Sequence, residues 1–241
     1  MRNIVAIHGI TGSKLNFRHF EEILEPSDHF YSFDLIGFGE EEKPECDYNV
    51  DCFLEHISKR IDELVPEGET FLLLAHSMGC ILAKEYALRY PKRVQGLVFV
   101  NYPFDSKKHL YRSWLSKSFL TESTWGKLLC RSRSVWKYFF LPFFYLAEPE
   151  YFDSFLSSFN HTFYSVLSSL QHVVLEDDVK TIKKLKPKAV FISGEKDPFL
   201  DLDLFQKTEN HILIPDMGHL FFRHEEKIVE IVNTFFPRGK K

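Results

Sequence analysis

A single α/β architecture built on a mainly parallel sheet is the fold class this sequence predicts. Two observations carry the expectation. Short runs rich in β-branched and aromatic residues alternate with stretches of helical periodicity, the pattern of parallel strands joined by crossover helices. One of these runs, Phe71–Ala75, passes directly into a helical pattern through a turn that places small residues on both sides of a serine.

Taken in chain order, the runs expected to be strands are Ile4–His8, His29–Leu35, Phe71–Ala75, Val94–Val100, Ala189–Ser193 and His211–Ile214. Each is too short for a buried helix. Between the second and third runs, Phe53, Ile57, Ile61 and Leu64 recur at helical spacing, with Asp51 as the expected N-cap. A second helix is predicted from about Ser77 to Tyr90, ending before Pro91, and a last one from Glu225 to Phe236, ending before Pro237. The tail Arg238-Gly239-Lys240-Lys241 is expected to be frayed and solvated. The alternation breaks between about Phe104 and Lys184, where the pattern is helical and aromatic. That stretch is read as a helical cap, residues 104–184, inserted between two core segments, 1–103 and 185–241.

The composition suits this reading. A chain of 241 residues, 44% hydrophobic and 27% charged, can bury a sizeable core as one domain carrying an insertion. The formal net charge of −4 gives no global reason to expect a nucleic-acid partner. Cys46, Cys52, Cys80 and Cys130 form no CxxC pair and are sparse for a disulfide scaffold, so they read as free thiols. The first apolar run is too short for a signal peptide. The aromatic stretch Tyr138–Leu146 is too short to span a bilayer and has Pro142 in its middle. These two features favour a cytoplasmic location.

The chemistry centres on Ala75-His76-Ser77-Met78-Gly79. A strand that turns abruptly into a helix brings the two backbones close, so the positions two before and two after the serine must be small. The helix N-terminus behind the serine favours developing negative charge. A serine nucleophile also needs a base, and the base an orienting acid. Downstream, Ser193-Gly194-Glu195-Lys196-Asp197-Pro198 is a polar turn after a strand, and Asp216-Met217-Gly218-His219-Leu220 follows the last strand. Toward the start, His8-Gly9-Ile10-Thr11-Gly12 stands at the end of the first strand, and Asp34-Leu35-Ile36-Gly37-Phe38-Gly39 ends the second. A phosphate loop is disfavoured, because no Gly-Lys-Ser/Thr follows the glycines.

Together these motifs resemble the α/β-hydrolase fold family in its own order, over everything outside the cap. The serine turn is similar to that family's Gly-x-Ser-x-Gly nucleophile elbow, with Ala75 in place of the first glycine. The resemblance implies Ser77 as nucleophile, Asp197 as orienting acid with Glu195 as its local rival, and His219 as base. It implies the Ile10 and Met78 N–H groups as the oxyanion hole, and no metal or organic cofactor. His76 reads as packing or loop support. Because the His8-Gly9 strand stands at the start of the sequence, the hairpin usual before it is expected to be absent, leaving about six strands, all parallel.

The resemblance further implies a serine hydrolase acting on a small-molecule carboxylic ester or thioester. Aromatic residues of the cap, from Trp114, Phe119, Trp125 and Trp136 to Phe163 and Tyr164, suggest an apolar acyl or alkyl group. Carbon–carbon bond hydrolysis or a lyase reaction of the same fold, and a small-molecule receptor with low turnover, stay open as alternatives. An aspartate-nucleophile reaction is disfavoured, because Ser77 occupies the nucleophile position. The first half of the cap is basic: Lys107, Lys108, Arg112, Lys117, Lys127, Arg131, Arg133 and Lys137. These residues read as a solvated face, as a handle for an anionic substrate group, or as the site of transient contact with an anionic membrane surface.

Overall fold

The computed structural model describes residues 1–104, 106, 108, 110 and 124–238. Of the cap residues singled out above, Lys107, Arg112, Trp114, Lys117 and Phe119 lie outside the described residues. So do the side chains of Trp125, Arg133 and Trp136, and the tail from Gly239.

Six strands form one sheet: β1 (Asn3–Ile7), β2 (His29–Ser32), β3 (Phe71–His76), β4 (Val94–Val100), β5 (Lys188–Gly194) and β6 (His211–Ile214). Their order is β2-β1-β3-β4-β5-β6 and every pairing is parallel. Successive side chains of a strand face opposite sides, and both sides here are apolar. Val5, Ile7, Leu73, Phe99 and Phe191 pack under α2 (Val50–Leu64) and α3 (Met78–Arg89). Ile4, Ala6, Leu72, Val98 and Ile192 pack under α1 (Arg18–Ile23) and the last helix, Glu225–Phe235. The continuous apolar runs read from the sequence therefore mark strands covered on both faces.

Between β4 and β5 the described regular elements are helical: α4 (Thr124–Arg131), α5 (Arg133–Ala147), α6 (Phe152–Ser157) and α7 (Phe163–Ser169). A short α8 (Leu202–Phe205) follows β5, and α9 is the last helix, Glu225–Phe235. The cap helices are tied to the core near both ends of α6. Tyr151 stacks on Phe222 at 4.2 Å, and its hydroxyl accepts from Arg223 N (2.7 Å) and donates to Glu225 (3.2 Å). The Ser157 and Ser13 hydroxyls meet at 2.6 Å.

Three local expectations are corrected. The N-cap of α2 is Asn49, whose side chain accepts from Cys52 N (2.9 Å); Asp51 lies in the first turn and its carboxylate takes Arg89 at 2.6 Å. The second strand stops at Ser32, not Leu35, because Leu35 N–H donates to His8 Nε2 (2.8 Å) and leaves the ladder. Arg238 is not a frayed tail residue: its guanidinium donates to Asp28 at 2.7 and 3.2 Å. Arg2 meets the same carboxylate and donates to Phe236 O at 2.7 Å, tying β1 to the end of α9. Burial alone would raise the Asp28 carboxyl, but the hydrogen bonds and charges of Arg2 and Arg238 outweigh it and hold it below its ordinary value. The four cysteines are free, with the Cys46 and Cys52 sulfurs 3.0 Å apart.

Candidate active site

Ser77 sits between the end of β3 and the first turn of α3, with φ 54° and ψ −124°. A non-glycine residue at positive φ costs on the order of 1–3 kcal/mol, so its surroundings must hold it there. Its N–H donates to Val100 O (3.0 Å) and its carbonyl accepts from Cys80 N (2.9 Å). The serine hydroxyl does not cap the helix, which leaves it available at the C-terminal edge of the sheet. The small residues are required by close approach. A Cβ on Gly79 would stand 2.4 Å from Ile7 O, and one on Gly9 would stand 2.8 Å from Ser77 Cβ. The loop after β1 thus presses against the serine turn.

Two more loops converge on this hydroxyl. His219 Nδ1–H donates to Asp197 Oδ1 (2.9 Å), and Nε2 accepts from Ser77 Oγ (2.9 Å). A carboxylate only accepts, so this pairing puts the imidazole proton on Nδ1 and leaves Nε2 bare. Asp197 Oδ1 also accepts from Phe199 N (2.9 Å), and the side chain is fully buried. Glu195, the rival acid, is exposed to solvent. The three residues read from separate motifs as nucleophile, acid and base are brought into one hydrogen-bonded row. Ile10 and Met78 line the cavity above it.

The sequence model of the alpha/beta hydrolase fold matches residues 2–225, nearly the whole chain. The chain belongs to the alpha/beta hydrolase fold family. A segment of 117 residues is 31% identical to the probable lysophospholipase BODYGUARD 5 of Arabidopsis thaliana, covering 44% of this chain and 26% of that protein. A segment of 107 residues is 34% identical to 1-acylglycerol-3-phosphate O-acyltransferase ABHD5 of Rattus norvegicus, covering 40% of this chain and 28% of that protein. The matched segments thus span little more than a quarter of these curated relatives. Among solved structures, E-2-(acetamidomethylene)succinate hydrolase shares the fold with a TM-score of 0.76 at 16% identity, over 98% of this chain and 92% of that one.

Within this hydrolase fold, two buried residues hold the His219 loop from below. His76 Nε2–H donates to His219 O at 2.7 Å, as the loop support expected of it. Burial, with the neighbouring His219 ring adding to it, pushes the His76 imidazole down to about 3, so it stays neutral. The sequence reading missed Asn101, which follows β4 with φ 54° and is fully buried. Its amide donates to Gly218 O (3.0 Å) and His219 O (2.7 Å), and its oxygen accepts from Gly194 N (2.8 Å). One side chain therefore spans the loops that carry Asp197 and His219. A polar residue directly after an apolar strand run was the available signal. Asn101→Ala is expected to lower kcat on a p-nitrophenyl ester by about 10²-fold, because a shift of about 1 Å in a reacting group has that effect. Steady-state kinetics beside a urea unfolding curve checks it; an unchanged kcat would show that the loops keep their register without the amide.

The row opens into a cavity of about 420 Å³. Its walls are mostly apolar, with Phe155, Val166, Leu170 and Val174 contributed from the cap side and Phe199 from the loop beyond Asp197. Among the described residues, no Lys, Arg, Asp or Glu side chain lines it.

Proposed function

We propose that this protein is a serine hydrolase that cleaves a carboxylic ester or thioester carrying an apolar acyl or alkyl group. The observation that carries the reading is the Asp197–His219–Ser77 row opening into an apolar cavity. The names of the relatives, a probable lysophospholipase and an acylglycerol-phosphate acyltransferase, support acyl chemistry on lipid-like molecules.

In this reading Ser77 Oγ attacks the substrate carbonyl while His219 Nε2 takes its proton. The oxyanion is held by the N–H groups of Ile10 and Met78, the latter at the N-terminus of α3, where the helix dipole favours negative charge. His219 then returns the proton to the departing alkoxide or thiolate, leaving Ser77 acylated. Water, deprotonated by His219, releases the carboxylic acid and restores the serine. Asp197 keeps the imidazole in the Nδ1–H tautomer and stabilises it when it is charged. Charged residues of the cap do not line the cavity among the described residues, which favours an uncharged acyl group over an anionic one. A p-nitrophenyl ester series of increasing acyl length tests the reading. We expect kcat/KM to rise from acetyl through medium-length acyl groups, by roughly 3-fold or more per added methylene while the chain stays buried. Preference for acetyl or for a polar acyl group would contradict the apolar acyl site.

A further inference from the structure

Helix α5 breaks the rule by which soluble helices keep an apolar stripe against the core and a polar face to water. Phe139, Phe143 and Leu146 are 72, 76 and 81% exposed, and Val135, Tyr138, Phe140 and Tyr145 are exposed as well. These positions run around most of the helix rather than along one edge. A contiguous apolar surface of this kind marks an interaction site.

Charge decides the occupant. Residues 124–147 hold Lys127, Arg131, Arg133 and Lys137 and no Asp or Glu, in a chain whose net charge is −4. Of the acids that follow, Glu148 pairs with Arg223 (2.8 Å) and Asp153 with Arg18 (3.0 Å), which leaves Glu150 as one exposed acid beside four cations. A second copy docked through the same face would set two cationic segments against each other. An anionic lipid surface matches both features, since aromatic and aliphatic side chains enter the acyl boundary while Lys and Arg meet the headgroups. The placement relative to the cavity agrees. Phe144 of α5 stacks on Phe155 of α6 with ring centroids 3.9 Å apart, and Phe155 lines the cavity above Ser77. The helix is one ring away from the site.

We infer that α5 docks this protein on an anionic lipid surface, with Phe139 and Phe143 entering the acyl boundary and Arg131 and Lys137 at the headgroups. The docking does not depend on the chemistry proposed for Ser77, so Ser77→Ala is expected to bind vesicles as the wild type does.

Flotation with vesicles tests it. The wild-type protein should float with vesicles of equimolar phosphatidylglycerol and phosphatidylcholine. It should bind those of pure phosphatidylcholine at least about tenfold less, and lose the difference in about 1 M salt, where the screening length falls to about 3 Å. The double variant Phe139→Ser/Phe143→Ser should lose at least about tenfold in binding to the anionic vesicles. Both side chains are exposed and outside the cavity, so its turnover of a soluble p-nitrophenyl ester should match the wild type and report correct folding. A wild-type protein that stays with the dense fraction, or a folded double variant that floats like the wild type, overturns the inference. So does a wild-type dimer in sedimentation velocity that the double substitution splits while neither protein floats.

Discussion

Ser77→Ala is expected to lower kcat on a short p-nitrophenyl ester by about 10⁶-fold while leaving KM within a few-fold, because the serine is asked to supply the covalent step and little of the binding. The expectation rests on geometry built around one atom. The strained backbone at φ 54° aims the hydroxyl, and a bare Nε2 lies 2.9 Å away to take its proton. The tautomer that leaves Nε2 bare is set by Asp197. Asp197→Asn, which keeps the shape but can donate to Nδ1, should lower kcat by about 10⁴-fold through the wrong tautomer. A Ser77→Ala protein that keeps a tenth of the wild-type rate, free of contaminating esterase, would place the chemistry elsewhere.

The largest effect on stability is expected around Lys84, two turns along α3 from Ser77. Its side chain is fully buried, and Nζ reaches Asp177 Oδ1 at 2.5 Å, Glu85 at 3.0 Å and Asp178 O at 3.2 Å. The other oxygen of Asp177 accepts from Tyr102 OH at 2.8 Å. Burial, with the Asp177 charge beside it, pushes the Tyr102 phenol well above its ordinary value, so the phenol remains a donor at every working pH. Asp177→Ala removes the principal partner of a buried ammonium and an acceptor of a buried phenol together. A loss of about 3–5 kcal/mol is expected, the size found when one member of a buried pair is deleted. The double variant Lys84→Met/Asp177→Leu leaves no charge stranded and should recover most of that loss. Urea unfolding at neutral pH reads both variants. An Asp177→Ala midpoint equal to the wild type would mean that Glu85 and Asp178 O satisfy Lys84 unaided. The network joins α3, whose N-cap is Ser77, to the segment leading out of the cap helices, so it also steadies the helix behind the serine.

The four inner strands were legible because each is covered on both faces, so that their runs had to be apolar nearly throughout; the edge strands β2 and β6, only partly buried, were legible from their β-branched and aromatic residues. Ser77, Asp197 and His219 were legible because each sits in a turn directly after a strand, where turn chemistry leaves a local signature. The ladder then brings those turns to one edge. Asn101 left only the signal of a polar residue directly after a strand run, and Lys84 left none, since their partners are about a hundred residues away in sequence. Nothing local distinguishes a lysine inside a buried helix from one on its solvated face. The misplaced N-cap of α2 has a similar origin: Asn49 and Asp51 are both good caps, and two residues of offset are decided by where the chain enters the helix. The Lys14–Phe17 turn and α1 were missed because they are short. They are stabilised by a Ser13–Asn16 capping box and by Phe17 and Phe20 packing on Phe221 rather than by a long periodic pattern.

The central claim, that the row Asp197–His219–Ser77 activates one serine, is tested most directly by covalent labelling. The native protein should react with a fluorophosphonate in a one-to-one ratio, and peptide mass spectrometry should locate the adduct on Ser77, with labelling abolished in His219→Ala. Ester turnover that persists after stoichiometric labelling, or an adduct on any other residue, would contradict it.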